Sequence, residues 1–404
     1  MVKIVPWLAI VGIGEDGVEG LSLAARAAIA AAECIAGGAR HLALAAALIP
    51  SAAEQLPWPS PMTEALPVIE GWRGRRAVVL ASGDPFCFGV GSLLAKRLAL
   101  GEWRSMPTAS AFSLAANRLG WALQDVATIS FCGRPLEAIR PLLQPGARIL
   151  ALSADDTTPP ALARLLSRWG FGETIIRVLE QIGGSDEFSF SFKASRGVHD
   201  PISPLNLMAL EVAGGPAIPL TAGLDEDWFE TDGQITKREI RALTLAALAP
   251  RRGELLWDIG AGSGAVGIEW MLRHPANRTI AIEARADRAA RISRNANALG
   301  VPALIVREGH APEALDGFPV PDAVFIGGGA RNFEITELCW SALKSGGRFV
   351  VNAVTLETER AVLDLHARWG GRLTRIGIER LGPLGPMQGF SPARTVLQYR
   401  AVKP

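Results

Sequence analysis

The sequence predicts an α/β protein built on mainly parallel sheets and divided into two or three domains. Three observations carry this. Short β-type runs alternate with Ala/Leu-rich helical stretches from one end to the other. Several of those runs break into glycine-containing turns that lead into the next helix, as strand-to-helix connections do. The chain has 404 residues, 49% of them hydrophobic, which is enough for more than one core and excludes wholesale disorder.

The elements follow in order. MVKIVPWLAIVGIG is apolar but runs into a glycine turn with no small-residue cleavage site, so it reads as a first strand, Trp7–Val11, and not as a signal peptide. Further strands are expected at Ala77–Ala81, Thr128–Phe131, Arg148–Leu152 and Thr174–Leu179, then Leu255–Ile259, Thr279–Glu283, Ala303–Val306, Ala323–Ile326 and Arg348–Val351. Helices are expected at Leu21–Ala32, Gly91–Leu100, Pro160–Arg168, Lys237–Ala249, Asp287–Leu299 and Thr358–Arg368. Gly214–Asp232 is rich in Gly, Pro and acidic residues and lacks either periodicity. It therefore reads as a linker over 215–232, between a domain of residues 1–214, with a possible subdivision near Leu150, and a domain of residues 233–404.

Composition removes several classes of function. The net charge is +1 and both halves are near neutral, so there is no nucleic-acid footprint. No uncharged apolar run approaches the length of a membrane span. Cys34, Cys87, Cys132 and Cys339 are scattered without a C-x-x-C, which argues against a disulfide scaffold or thiolate zinc site and suits a reducing cytoplasm. The five histidines show no metal-ligand spacing, and no metal is expected.

The second half carries the most specific signal. The apolar run Leu255–Ile259 closes in Gly260-Ala261-Gly262-Ser263-Gly264 and a helix follows. Glycines let a backbone turn sharply and approach a ligand, and the helix start adds unpaired N–H groups. Glu283 ends the next strand about 20 residues on, where a carboxylate can accept from both hydroxyls of a ribose. Gly260-x-Gly262-x-x-Ala265 also satisfies a relaxed dinucleotide pattern, so an NAD-linked oxidoreductase stays open, as does a non-catalytic scaffold. Two features lean toward S-adenosylmethionine: Asp258, placed to bind a methionine ammonium, and the turn Glu308–Glu313, placed near an adenine edge. In Ile235–Arg241, Thr236 and Glu239 read as a capping box, while Lys237 and Arg238 could face a substrate.

In the first half, Gly12-Ile13-Gly14 follows the first strand, and Ser82-Gly83-Asp84-Pro85-Phe86-Cys87-Phe88-Gly89 breaks off another where α/β proteins bind ligands. Cys87 reads as packing and not as a nucleophile, since no histidine lies near it in sequence.

With both sets of motifs in view, the chain resembles the cobalamin-pathway family of decarboxylating precorrin-6Y C(5,15)-methyltransferases over essentially its whole length. The first half is similar to tetrapyrrole methylases through Ile10–Gly14, Ala81–Pro85, Ser110–Ser113 with Arg118–Gly120, and Pro204–Asn206. The second half is similar to class I, Rossmann-like methyltransferases of the carbon-15, decarboxylating type. Its marks are Ile235–Glu239, Asp258–Gly264, Glu308–Glu313, Ile326–Gly329 and the stretch from Gly346 to Glu357.

The resemblance implies a tetrapyrrole methylase domain of two α/β subdomains joined to a class I domain, each with one S-adenosylmethionine. Asp258, Gly260, Gly262, Gly264 and Glu283 would hold the second, with Gly309, His310 and Ala311 near its adenine. His310 stands where the family usually has an acid, so the contact carried over there is a backbone one. Gly83, Asp84, Pro85, Ser110 and Ser113 would line the first cleft. The implied activity is methylation of an anionic tetrapyrrole at carbons 5 and 15 with loss of a ring-bound acetate's carboxyl group. Alongside Lys237 and Arg238, the arginines Arg375, Arg380 and Arg394, flanking a Gly/Pro loop at Leu381–Pro392, are candidates for the substrate's carboxylates. A cytoplasmic homo-oligomer is expected, without nucleic acid or membrane as partners.

Overall fold

The computed structural model describes residues 6–198 and 201–404, which include the whole of the expected first strand Trp7–Val11. The chain divides into two compact units, Met1–Arg134 with Pro145–Pro216, and Pro135–Gln144 with Ala217–Pro404.

The first unit has two sheets. Strands β1 (Leu8–Ile13), β2 (Cys34–Gly37), β3 (Glu54–Pro57), β4 (Ala77–Ser82) and β5 (Trp103–Met106) pair in the order β3-β2-β4-β1-β5, all parallel. β1 is buried along its whole length, and helices Leu23–Ala30 and Ala65–Gly71 supply core residues such as Ile29 and Ile69. Strands β6 (Ala127–Ser130), β7 (Arg148–Leu152), β8 (Ile175–Glu180), β9 (Phe188–Lys193) and β10 (Asn206–Glu211) form the second sheet in the order β6-β7-β10-β8-β9, antiparallel apart from β6 with β7. Since β6 and β7 share a sheet, the break between subdomains falls between Met106 and Ala127 and not near Leu150.

The second unit is a seven-stranded sheet. β11 (Leu255–Ile259), β12 (Arg278–Glu283), β13 (Ile305–Glu308), β14 (Ala323–Ile326) and β15 (Arg348–Ala353) form its parallel part. β16 (Arg372–Ile376), the hairpin β17 (Glu379–Leu384) and β18 (Met387–Pro392), and β19 (Val396–Val402) follow. The order is β13-β12-β11-β14-β15-β19-β16, with β19 antiparallel to both neighbours.

Several expectations need correction. The stretch 215–232 is not a free linker beyond Pro216: Ile218, Leu224 and Phe229 are buried in the same core as Leu256 and Trp270. Residues 135–144 also belong to the second unit, where Gln144 Nε2 donates to the Ile218 carbonyl at 3.0 Å. The capping box is absent. Lys237 is the helix N-cap and gives no side-chain bond, while Glu226 accepts from the Arg238 N–H at 2.9 Å, so a carboxylate from the preceding turn does the capping. The Leu381–Pro392 loop is the β17–β18 hairpin, held by cross-strand pairs such as Leu381 with Phe390 and turned at Gly385 (φ +60°). The Gly91–Leu100 helix stops at Leu94, after which Lys96 and Arg97 N–H groups bond three residues back and tighten the chain.

Candidate active sites

In the first unit, three loops at the carboxyl edge of the parallel sheet are knitted backbone to backbone. The Gly83 N–H donates to the Ile13 carbonyl at 3.1 Å, and the Thr108 N–H donates to the Gly83 carbonyl at 3.1 Å. A Cβ on Gly12 would lie 1.7 Å from the Gly83 oxygen, so only glycine allows the approach. Beside these loops lies a cavity of about 200 Å³, with Gly14, Gly83 and Ser110 on one side and Leu152, Leu179 and Leu207 of the second sheet on the other.

Of the residues expected here, Gly83 and Ser110 line the cavity and the other three shape it from behind. Asp84 accepts from the Phe86 N–H at 2.8 Å, the Pro85 carbonyl accepts from Gly91 at 2.9 Å, and Ser113 donates its N–H to Ser110, the cap of helix Ala111–Leu119. Cys87 also lines the cavity, and burial pushes its thiol up despite a bond with Ser110, in keeping with packing. Two cavity-lining polar atoms, Ser153 Oγ and Asn206 Oδ1, are buried with no hydrogen-bond partner among the described residues. They fit a polar ligand. Sequence reading missed Glu15 and Arg40 as cavity residues and placed Ser82 only as the start of the loop Ser82–Gly89.

In the second unit, β11 delivers the chain into Gly260, Gly262 and Gly264, all in the left-handed region at φ +66°, +60° and +76°. Gly260 and Ala261 N–H groups donate to the Ile282 carbonyl at 2.9 and 3.1 Å, which ties the loop to the end of β12. A second glycine loop follows β14: a Cβ on Gly260 would meet the Gly328 nitrogen at 2.9 Å. Glu283, 5% exposed, ends β12 and accepts from the Gly262 N–H at 2.8 Å and the Arg285 N–H at 3.1 Å. The Gly309 N–H donates to the Glu283 carbonyl at 3.0 Å, so the turn after β13 is fastened to the same strand end. Asp258, Gly260, Gly262, Gly264, Glu283 and Gly309 thus gather along one sheet edge. His310 follows with an exposed side chain that has no hydrogen bond among the described residues, and Ala311 is half-buried.

Asp258 is 1% exposed; its Oδ2 accepts from the Gly267 N–H at 3.0 Å and its Oδ1 has no partner among the described residues. Burial pushes its carboxyl up to about 7, the Gly267 bond opposing and the Glu283 charge adding. An orphaned carboxylate oxygen beneath a glycine loop fits a cationic group of a bound ligand.

Most of the cationic candidates are already engaged. Arg238 pairs with Asp225 at 2.7 Å, Arg375 with Glu359 at 3.1 Å, and Arg380 with Glu239. Lys237 and Arg394 are exposed and form no ion pair among the described residues. The neighbouring Arg241 turns inward instead: fully buried, it pairs with Glu269 at 2.5 Å and donates to the Thr236 and Leu224 carbonyls.

The family of tetrapyrrole (corrin/porphyrin) methylases matches residues 8–196, and the precorrin methyltransferase domain matches residues 227–403. A precorrin-6Y C(5,15)-methyltransferase [decarboxylating] from Sinorhizobium sp is 54% identical over 401 residues, covering 98% of this chain and 97% of that protein. A protein of the same name from Mycobacterium tuberculosis (strain CDC 1551 / Oshkosh) is 39% identical over 401 residues, covering 98% and 100%. The crystal structure of the C-terminal domain of precorrin-6Y C5,15-methyltransferase from Rhodobacter capsulatus, 50% identical, covers 46% of this chain and all of its own, with a TM-score of 0.44.

Proposed function

This chain belongs to the family of decarboxylating precorrin-6Y C(5,15)-methyltransferases, and from that premise we propose how its two sites divide the reaction. It is a methyltransferase and decarboxylase of cobalamin biosynthesis that acts on a tetrapyrrole. In our reading the N-terminal cleft methylates carbon 5, and the glycine-loop site of the second unit methylates carbon 15 and removes the acetate carboxyl. The observation that carries this is the presence of two separately built glycine-loop sites, each holding buried polar atoms without a hydrogen-bond partner among the described residues.

S-adenosylmethionine supplies an electrophilic methyl group at each site. In the second, Glu283 would hold the ribose hydroxyls, Asp258 the ammonium, and Gly309–Ala311 the adenine edge by main-chain contact. In the first, Gly83 and Ser110 line the corresponding space. The protein's part is to align the reacting carbon in line with the methyl group at near-attack distance. For decarboxylation the conjugated imines of the macrocycle accept the electron pair, so the protein has to position the acetate and limit its solvation. No described helix is long and apolar enough to cross a membrane.

Two outcomes test the second site's chemistry. Its Asp258 carboxyl is neutral below about 7 and ionised above, so cofactor affinity at that site should fall as pH drops from 8 to 6. In Asp258→Asn the affinity should be weak and flat across the same range in calorimetric titration; a wild-type profile in the variant contradicts the assignment. The substrate is a polyanion, and Lys237 and Arg394 are the cations open to it among the candidates. Substrate KM should therefore rise with added salt, less steeply in Lys237→Ala and Arg394→Ala, while the cofactor's KM changes little. Equal salt dependence in all three proteins contradicts the role given to these cations.

A further inference from the structure

The N-terminal cleft has a polar wall to which the reading above gives no task. β2 and β4 are adjacent parallel strands, so their carboxyl ends bring two residues to one edge: His41, in the helix Ala39–Ala45 that follows β2, and Ser82, the last residue of β4. His41 Nε2 lies 2.8 Å from Ser82 Oγ. Arg40 Nη2 lies 3.0 Å from both of these atoms, and its Nη1 pairs with Glu15. Glu15, Arg40 and Ser82 line the cavity together with Gly83 and Ser110.

The contacts select one tautomer of His41. A guanidinium only donates, so its bond to Nε2 requires the neutral tautomer with the proton on Nδ1, a buried atom with no hydrogen-bond partner among the described residues. Nε2 has one lone pair, so the Ser82 hydroxyl donates to it in the arrangement in which Arg40 donates to Ser82 Oγ instead, and Oγ then keeps its other lone pair for the cleft. Burial, with the charge of Arg40 adding, holds the imidazole down at about 4, so it is unprotonated at neutral pH.

We propose that Ser82 and His41 are the proton acceptor for methylation in this cleft, Ser82 meeting the macrocycle and His41 receiving the proton through it. The proposal rests on the reading that this cleft methylates carbon 5. A bond forms from carbon 5 to the methyl carbon, and the carbon–sulfur bond breaks with its electron pair left on sulfur. The macrocycle gains the positive charge and must shed a proton. That proton goes to Ser82 Oγ while the Ser82 proton passes to His41 Nε2, and the imidazolium later releases it to water. A cationic macrocycle is a strong acid, so a weak base that is never protonated in advance is suited to it. Glu15 offsets the charge of Arg40 and so makes room for the transient imidazolium.

Ser82→Ala and His41→Gln in the full chain test this; glutamine keeps an acceptor for Arg40 and Ser82 but cannot take up a proton. Carbon-5 methylation, followed by product mass and NMR from pH 6 to 9, should fall about 100-fold or more in kcat in both variants. The cofactor's KM and the release of carbon dioxide should hold. The variant rates should climb with pH as hydroxide and buffer take over, where the parent rate is flat between pH 6 and 8. A parent-like rate in either variant overturns the proposal, and so does a loss in His41→Gln that is the same at every pH. The underlying reading fails by a separate result: carbon-5 methylation lost on Glu283→Ala in the other unit.

Discussion

Glu283→Ala is expected to give a chain that still methylates carbon 5 but neither methylates carbon 15 nor releases carbon dioxide. Glu283 is the acceptor at the end of β12, 5% exposed, and it also receives the N–H groups of Gly262 and Arg285 that set the loop. In the proposed role, removing a charged acceptor for two ribose hydroxyls costs about 1.5–3 kcal/mol for each hydrogen bond. The two freed backbone donors also let the glycine loop relax, so the loss extends to alignment, on which in-line transfer depends. Glu283→Gln keeps the shape and should be milder. Product analysis after incubation with precorrin-6Y checks this, and decarboxylated product at the parent rate would remove Glu283 from the site.

The second large effect is on stability. Glu269, fully buried, accepts from Arg241 Nε at 2.5 Å and from the Gly223 and Leu224 N–H groups at 2.7 and 3.0 Å. It thereby fastens the stretch before Arg238 to the sheet-packing helix Ala265–Leu272. Glu269→Ala leaves a buried guanidinium without its counter-ion, which should cost about 3–5 kcal/mol. Urea titration followed by carbon-15 methylation should show a much lower midpoint, with carbon-5 methylation unaffected. Because a buried ion pair is costly to break and cheap to replace, Arg241→Met with Glu269→Leu should be less destabilised than either single change. A midpoint for Glu269→Ala equal to the parent's would deny the pair this role.

These same residues show what the sequence made legible. Local signals worked where one strand, one turn and one helix suffice: Leu255–Ile259 and Arg148–Leu152 fall where hydrophobic periodicity puts them, and Asp258–Gly264 with Glu283 form one edge. The signal failed where the deciding partner is far along the chain. The Thr236–Glu239 pattern looks like a cap, yet Glu226 takes the helix donor and Arg241 pulls the preceding carbonyls inward. Gly214–Asp232 has no period because its buried residues Ile218, Leu224 and Phe229 are placed singly along an irregular path. Short strands such as β2, β3 and β5 have four residues each, too few to show alternation, and with β2 went the placement of Arg40 and His41.

The proposal of two cofactor sites in one chain is tested most directly by a calorimetric count of S-adenosylmethionine. The intact protein should bind two equivalents and Glu283→Ala one, with the remaining equivalent supporting carbon-5 methylation. One equivalent bound by the parent chain, or loss of both on Glu283→Ala, would contradict it.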